Sequence, residues 1–200
     1  MKYLITPYNK KSEPFAWWEG AFNEDELNWL QMITKEGKQQ ARVGKDSKDS
    51  GGIYAPDVRR SEVNWFDCNN ETRWVFEKLS HVVSSLNSQF FFFDLTGFGE
   101  AIQLTNYDEE YTGMYSWHVD FGNNPESPSR KLSLVMQLSD PVDYEGGVLE
   151  ILNHGNQVVK MRKQRGLIVC FPSWTLHQVT PVTKGNRQSL VAWISGPPFK

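Results

Sequence analysis

The chain has 200 residues and a formal net charge of −3, with no long run of charges of one sign. Its length fits one domain with a sizeable hydrophobic core. The mildly acidic charge argues against a general nucleic-acid-binding protein, which would carry a basic stripe, and no apolar run is long enough to predict a signal peptide or a membrane span.

The cysteine content bears on the compartment in which the protein works. Cys68 and Cys170 are far apart in the sequence and form no CxxC motif. Two reduced thiols in a reducing compartment are the simplest interpretation, so we expect a cytoplasmic protein. No heptad pattern indicates a partner subunit, and a monomer is the default expectation.

Two helices are predicted in the first half of the chain. Asn23 followed by Glu26 has the spacing of an N-cap with its reciprocal glutamate, and predicts a helix through Ile33. Asn70 is predicted to cap a second helix, because the apolar residues after it follow helical spacing: Val75, Leu79, Val82 and Leu86.

The segments around these helices are less regular. Residues 3–5 predict a first short strand, and residues 59–66 are predicted to be extended. The polar, glycine-rich stretch 37–56 predicts a long loop. Loops of this length inside a domain are typical of lids or disordered insertions, so a lid over the substrate is one hypothesis and a surface insertion is the other.

From Phe90 onward the sequence predicts short strands separated by turns. Residues 131–138 alternate cleanly, and residues 153–156 form a turn of the hairpin type. The predicted strands are 90–93, 101–107, 114–121, 131–138, 148–152, 157–161, 167–171, 175–179 and 189–194. Two helices before these strands predict an α+β chain with a double-stranded β-helix (jelly roll) core. We expect one domain, 1–200, in which 1–95 support a catalytic core over 96–200.

The candidate chemistry is centred on His118 and Asp120. In a strand, residues two apart point to the same face, so this imidazole and carboxylate are predicted to lie side by side. They would supply two of the three ligands of a 2-His-1-carboxylate site for iron(II). A His-x-Asp sequence is common by chance, so a third ligand is required.

Three other histidines are available as the third ligand. His81 falls in the second predicted helix and His154 falls in a predicted turn, where each is better explained as a helix-surface or turn residue. His177 lies on a predicted strand 59 residues beyond His118, which leaves room for the chain to return across the roll. His177 is therefore the candidate third ligand.

Arg187 and Ser189 share one face of the last predicted strand. An arginine that faces the interior of a barrel is costly unless it meets an anion, and a guanidinium beside a hydroxyl suits a carboxylate. An arginine at the edge of the strand, paired with a surface acid, explains the sequence equally well.

The chain resembles the iron(II)- and 2-oxoglutarate-dependent dioxygenases, specifically the prolyl-4-hydroxylase-like branch. The resemblance covers roughly 59–197 and is strongest from residue 101 onward. It rests on several motifs in order: Tyr107 with Tyr115-x-x-His118-x-Asp120, Lys131-Leu-Ser-Leu-Val135, Tyr144-Glu-Gly-Gly-Val-Leu-Glu150, Gly166-Leu-Ile-Val-Cys-Phe-Pro172, His177-x-Val-x-x-Val182 and Arg187-x-Ser189.

The resemblance implies a role for each matching residue. His118, Asp120 and His177 would be the iron ligands, and Arg187, assisted by Ser189, would hold the distal carboxylate of 2-oxoglutarate. Tyr107 would be a phenol donor to that cosubstrate. O2 would be the co-reactant, and ascorbate is the candidate reductant. Met136 departs from the family, because some peptidyl-proline hydroxylases carry a tyrosine at the corresponding position.

The substrate is less well defined by the sequence. The branch implies a prolyl residue in a peptide or protein. Arg59, Arg60 and Trp174 are the candidate substrate contacts, and Trp117, which alternates away from His118, is predicted to pack in the core. Hydroxylation of a free amino acid or another small molecule is an alternative, as is a metal-binding jelly roll without turnover. Nucleic-acid demethylation is disfavoured, because the related branch carries a second arginine soon after Arg187 that is missing here.

Overall fold

The computed structural model of the protein describes residues 12–35, 37–43, 52–121 and 129–198. The longer helices of these residues are α1 (Glu24–Ile33) and α2 (Arg73–Leu86), and α2 continues into a π-helical turn, Asn87–Phe91. The strands are β1 (Ala16–Trp18), β2 (Gln39–Gln40), β3 (Arg59–Arg60), β4 (Glu62–Phe66), β5 (Gly97–Phe98), β6 (Ile102–Asp108), β7 (Met114–His118), β8 (Arg130–Gln137), β9 (Tyr144–Gly146), β10 (Leu149–Leu152), β11 (Val158–Lys160), β12 (Ile168–Pro172), β13 (His177–Val179) and β14 (Val182–Ser195).

The strands form two antiparallel sheets. The larger sheet has the order β1-β12-β8-β14-β6-β4-β2, with β5 and β9 also paired to β14, and the smaller sheet has the order β11-β10-β13-β7-β3. Non-consecutive strands are neighbours in both sheets, as expected when the chain winds back and forth between two layers. The predicted α+β jelly roll is confirmed.

The hydrophobic core has two parts, one on each side of the larger sheet. The outer face of the larger sheet packs against α1 and α2 through residues such as Leu104, Leu134 and Leu190. Its inner face packs against the smaller sheet through a second cluster that includes Val135 and Ile151. Because β8 is buried on both faces, its predicted alternation separates a helix-facing side from a side that faces the smaller sheet.

The first predicted helix is confirmed in detail. The Asn23 side chain accepts a hydrogen bond from the Glu26 backbone N–H at 2.9 Å, and the Glu26 carboxylate accepts one from the Asn23 N–H at 2.8 Å. This reciprocal pair satisfies two amide groups that the helix itself leaves without partners.

Two predictions about the second helical region are wrong. Asn70 does not cap α2: the Asn69 side chain accepts from the amides of Glu71 and Thr72, and α2 starts beyond this turn. Residues 90–93 are not a strand, because the helix runs on to Phe91. A short apolar run is compatible with a buried helix end as well as with a strand, and its periodicity alone does not separate the two.

The remaining segments follow the predictions in part. The predicted extended segment 59–66 divides into β3 and β4, which belong to different sheets. In the predicted loop 37–56, β2 pairs with β4, and Val43 bridges to Ile53. The predicted strand 3–5 and the centre of the loop, 44–51, lie outside the described residues. No helix among the described residues is long and apolar enough to span a membrane.

Replacing Asn23 with alanine should lower the free energy of unfolding by about 1 kcal/mol, because the capping box loses its side-chain acceptor. Denaturant unfolding of the purified variant measures this change. Asn70→Ala is the matched control and should unfold like the wild type, because Asn70 caps no helix. Equal losses in the two variants would contradict this assignment of the helix starts.

Candidate active site

Three predicted ligand side chains converge between the two sheets. Strands β7 and β13 are neighbours, and their pairing sets His177 directly opposite His118. Asp120 Oδ1 lies 3.6 Å from His118 Nε2, and Asp120 Oδ2 lies 3.6 Å from His177 Nε2. One ligand atom from each residue lies within 4.8 Å of the other two. This spacing leaves room for one ion between the three groups.

Hydrogen bonds to the backbone orient both imidazoles. His118 Nδ1 lies 2.7 Å from the Ser116 carbonyl oxygen, and His177 Nδ1 lies 2.9 Å from that of Thr175. Because a carbonyl only accepts, each Nδ1 carries the proton and donates it. Each Nε2 therefore points at Asp120, and in a neutral ring this nitrogen carries the lone pair with which a histidine binds a metal.

Asp120 is positioned by the turn after β12. Strand β7 ends at His118, so the predicted extension of the strand to Asp120 is wrong. Instead, the Asp120 backbone N–H donates to the Ser173 carbonyl at 2.9 Å. Ser133 Oγ donates to Asp120 Oδ2 at 2.7 Å and lies 3.0 Å from Ser173 Oγ. The carboxylate is thus fixed by two serines from different strands rather than by strand geometry.

The electrostatics of the three groups suit a cation. Burial, and secondarily the charge of His177, lower the pKa of His118 to about 4, against the opposing effect of Asp120. Burial raises the pKa of Asp120, but the two imidazoles and the Ser133 hydrogen bond lower it by more, so this pKa lies below its usual range. At neutral pH the site therefore offers a neutral imidazole at His118 beside an ionised carboxylate.

Arg187 is fully buried, with no exposed surface. Its Nη1 donates to Ser189 Oγ at 3.3 Å, while Nε and Nη2 have no hydrogen-bond partner among the described residues. A buried guanidinium with open donors is costly unless an anion completes it. The alternative of an arginine at the strand edge, paired with a surface acid, is therefore wrong.

The predicted phenol Tyr107 lies beside this cation. Tyr107 pairs with Arg187 across β6 and β14, and the guanidinium carbon lies 5.2 Å from the centre of the Tyr107 ring. Tyr107 is also buried. The structure therefore brings Tyr107, Arg187 and Ser189 together on the inner face of the larger sheet.

A second phenol, Tyr144, begins one of the family motifs, although the sequence predicts no role for it. Tyr144 is buried, and its hydroxyl has no hydrogen-bond partner among the described residues. Burial raises the pKa of this hydroxyl, against the opposing effect of the Arg187 charge. Gly147 leaves space for both side chains, because a Cβ there would lie 2.9 Å from Arg187 Cδ and 3.2 Å from Tyr144 Cε2.

Met136 does not occupy the position that the family resemblance implies. Met136 is fully buried on the helix-facing side of β8, so it does not point at the candidate site. The residue opposite Ser189 is Gln137, and directly opposed residues share a face. Gln137 therefore faces the site, and its side-chain oxygen has no partner among the described residues. A motif alignment cannot fix register to one residue, and a one-residue shift exchanges the faces.

The predicted substrate residues have different surroundings. Arg59 is buried at the inner face of the smaller sheet, and its guanidinium carbon lies 4.7 Å from the centre of the Tyr115 ring. Arg60 donates to the backbone carbonyls of Pro56, Tyr111 and Thr112, so it holds the chain and is not part of the site.

Two tryptophans close to the ligands in sequence do not form part of the core. Trp174 is 40% exposed and packs against Phe93, beside the helices. Trp117, predicted to be buried, is 37% exposed. It alternates away from His118 onto the outer face of the smaller sheet. The histidines that were not selected are both exposed, with His81 on α2 and His154 in the turn after β10.

The arrangement fits the groups that the sequence resemblance implies. The three ligand atoms offer one carboxylate and two imidazoles, a donor set that suits iron(II) and leaves other coordination positions open. The unpartnered donors of Arg187 and Tyr144 suit one end of a dicarboxylate. The centre of the Phe171 ring lies 4.6 Å from that of His177, and the centre of the Tyr115 ring lies 3.4 Å from that of His118. These two rings form part of the wall of the site.

Comparison with known proteins agrees with this geometry. Residues 102–195 match the 2OG-Fe(II) oxygenase superfamily. A PKHD-type hydroxylase of Synechococcus sp. (strain CC9605) is 46% identical over 82 residues, which is 40% of this chain and 36% of that protein. A PKHD-type hydroxylase of Prochlorococcus marinus is 30% identical over 152 residues, or 75% of this chain and 65% of that protein. In both cases the matched region spans less than two thirds of the relative.

Solved structures share the fold at low sequence identity. A Pseudomonas putida prolyl-4-hydroxylase has a TM-score of 0.71 at 18% identity, with 93% of this chain and 94% of that chain covered. A Trichoplax adhaerens prolyl hydroxylase, in complex with a hypoxia inducible factor peptide fragment, has a TM-score of 0.73 at 16% identity, with coverages of 92% and 84%. The carbocyclase SnoK from nogalamycin biosynthesis has a TM-score of 0.69 at 14% identity, with coverages of 92% and 80%.

The family match covers the strands that carry His118, His177 and Arg187, and the segment after β7 that carries Asp120. The named relatives are hydroxylases, and prolyl hydroxylases are among the proteins that share the fold. Residues 102–195 of this chain therefore match the 2OG-Fe(II) oxygenase superfamily, and the chain is similar to PKHD-type hydroxylases.

Proposed function

We propose that the protein is an iron(II)- and 2-oxoglutarate-dependent dioxygenase that hydroxylates an unactivated C–H bond. The observation that carries this proposal is the fully buried Arg187, whose open donors lie between the two sheets, as do the converged His118, Asp120 and His177. A jelly roll that only bound a metal would have no use for a second, anion-binding subsite.

Each residue has a defined task in this proposal. His118 and His177 bind the metal through Nε2, and Asp120 binds it through a carboxylate oxygen held by Ser133. Arg187 and Ser189 hold the distal carboxylate of 2-oxoglutarate, and Tyr107 and Tyr144 donate to the cosubstrate from either side. When bound, iron and 2-oxoglutarate supply the O2 chemistry that releases succinate and CO2 and hydroxylates the substrate. The aromatic rings of Tyr115 and Phe171 exclude water around the ligands.

The substrate proposed first is a prolyl residue in a peptide or protein. The PKHD-type relatives and the structural likeness to prolyl hydroxylases support it. A small molecule or a free amino acid is the second candidate, supported by the likeness to SnoK, whose name describes a carbocyclase and whose TM-score is only slightly lower. Ascorbate as reductant, a cytoplasmic location and a monomeric state stay predictions.

The proposal is tested by incubating the protein with iron(II) and 2-oxoglutarate under air and measuring succinate. Release of succinate that requires both additions establishes the reaction class, even without a substrate. Proline-rich peptides and free proline are then compared, and a mass gain of one oxygen identifies the substrate class. Absence of iron-dependent succinate formation under every condition would refute the proposal.

His177→Ala should abolish turnover, because the metal loses one of its three protein ligands. Metal binding, followed by calorimetry with Mn(II), should weaken in parallel. His154→Ala is the matched control, since this histidine is exposed in a turn and should leave both measurements unchanged. A fully active His177→Ala protein would contradict the ligand assignment.

Arg187→Ala should weaken 2-oxoglutarate binding by about 100-fold or more, because a charge-assisted contact to a carboxylate is lost. The KM for 2-oxoglutarate and its calorimetric affinity should shift together, while metal affinity is retained. Arg162→Ala, which removes a half-exposed arginine paired with Glu19, controls for the change in net charge. Unchanged 2-oxoglutarate affinity in Arg187→Ala would place the cosubstrate elsewhere.

Tyr144→Phe should weaken 2-oxoglutarate binding by about tenfold, because it deletes one buried hydroxyl donor and leaves the ring in place. Calorimetric titration of the Mn(II)-loaded protein with 2-oxoglutarate measures the loss. Tyr54→Phe, at a half-exposed tyrosine, is the control and should bind like the wild type. Identical affinities in the two variants would remove Tyr144 from the cosubstrate site.

The pKa of His118 predicts how the metal-free protein responds to acid. Between pH 6.5 and about pH 4, the unfolded chain binds a proton at this residue that the folded chain does not, so stability falls as the pH falls. Thermal unfolding of chelator-treated protein at several pH values should show a steeper acid decline in the wild type than in His118→Gln. Equal slopes would contradict the lowered pKa.

A further inference from the structure

We infer that Arg59 binds a carboxylate of the substrate, so that the substrate is an anion in the part of the molecule that enters this site. The inference rests on the proposed dioxygenase function and adds the chemical class of the substrate. The carboxylate belongs either to a terminal or free amino acid or to an acidic side chain beside the reacting residue.

Arg59 faces the inside of the roll. Strand β3 is the edge of the smaller sheet next to β7, and Arg59 lies directly opposite Tyr115. Directly opposed residues point to the same face of a sheet. The Arg59 side chain therefore lies on the side of the ligand histidines, and only 8% of its surface is exposed.

One aromatic ring separates this cation from the ligand set. The Arg59 guanidinium carbon lies 4.7 Å from the centre of the Tyr115 ring. The Tyr115 and His118 rings stack with their centres 3.4 Å apart and their planes 15° apart. Arg59 and the ligand His118 thus contact the same aromatic ring, so a group held by Arg59 would lie beside the wall of the metal site.

Arg59 lacks the partners that a buried arginine normally has. Its Nε donates to Ser61 Oγ at 2.8 Å, and it makes no ion pair with any carboxylate in the described part of the chain. Ser61 is itself buried, so it fixes one edge of the guanidinium and leaves the two terminal nitrogens available. A planar fork with two open nitrogens matches the two oxygens of a carboxylate.

Two other arginines, by contrast, have several acceptors for their guanidinium donors. Arg130 makes two hydrogen bonds to Glu100, at 2.6 Å and 2.5 Å, and lies 3.8 Å from the centre of the Trp193 ring. Arg60, next to Arg59 in sequence, is bonded to three backbone carbonyls. Arg59 has neither a carboxylate nor a set of carbonyls.

The charges of the loaded site point the same way. Iron(II) and Arg187 would bring three positive charges, and Asp120 with the two carboxylates of 2-oxoglutarate would bring three negative charges. These balance, so the positive charge of Arg59 is left over in a poorly hydrated environment. One further negative charge would neutralise it, whereas a peptide carbonyl would not.

The test is a comparison of acids with their amides, measured as binding rather than as turnover. Protein loaded with Mn(II) and 2-oxoglutarate, which does not turn over, is titrated by calorimetry. Three arms are used: the twenty free amino acids against their amides, proline-terminated peptides against their C-terminal amides, and amidated peptides with glutamate or glutamine next to an internal proline. The first two arms report a terminal carboxylate, and the third reports an acidic side chain.

We expect the acid to bind at least about tenfold more tightly than its amide in one arm, because a charged hydrogen-bonded pair is lost in the amide. Arg59→Gln should reduce this ratio to near one. Arg59→Lys should restore part of it, because it returns the charge without the fork. Arg162→Gln makes the same change in net charge at a half-exposed position and should keep the full ratio.

No acid preference in any arm for the wild type, or an unchanged preference in Arg59→Gln, would overturn the inference. Succinate release without substrate separates this failure from failure of the proposed function, since it depends on the metal and 2-oxoglutarate subsites alone. If succinate release is normal and the acid preference is absent, only the role of Arg59 is wrong.

Discussion

The structure depends on the way in which Asp120 is held. This carboxylate sits beyond the end of its strand, between two imidazoles, with its backbone amide bonded to Ser173 and one oxygen bonded to Ser133. One carboxylate and two imidazoles could not be kept this close together in a buried site without such support. The two histidines are also held by hydrogen bonds, since each Nδ1 contacts a backbone carbonyl and each Nε2 then faces the carboxylate. The fold thus arranges three ligand groups around one cation site.

Two buried guanidinium groups lie on the inner faces of the two sheets, and each has N–H donors without an acceptor among the described residues. Arg187 lies on the larger sheet, beside two phenols, and Arg59 lies on the smaller sheet, behind the Tyr115 ring. Burying an arginine without an acid lowers stability, so both positions are explained best by anions that arrive with the reaction. On this view one sheet receives the cosubstrate and the other receives the substrate, with the metal ligands between them.

Much of this arrangement could be predicted from sequence because it follows short-range rules. The capping residues of α1, the alternation along β8 and the pairing of Arg187 with Ser189 each depend on neighbours within a few positions. Tertiary packing decided the rest. The aromatic run 90–93 starts inside a helical turn that ends at Phe91, because Phe91 packs in the core. Tyr144 could not be recognised as part of the site, because the turn at Gly147 brings it to Arg187 from a separate strand. Gln137 faces the site and Met136 does not, because an error of one residue in the register reverses which side chain faces inward.

The pairing of β7 with β13 is irregular at one point, and this has a consequence for how the protein can vary. His118 is opposite His177, but Tyr115, three residues earlier, is opposite Val179, two residues later. This bulge lets Tyr115 and His118 share a face although their spacing is odd. A single-residue insertion or deletion between them would therefore turn one of the two rings to the outside and break the stacked column from Arg59 to the ligand histidines. Length changes should be tolerated in the exposed 153–156 turn and rejected here, so this segment of the chain has a fixed length as well as a fixed composition.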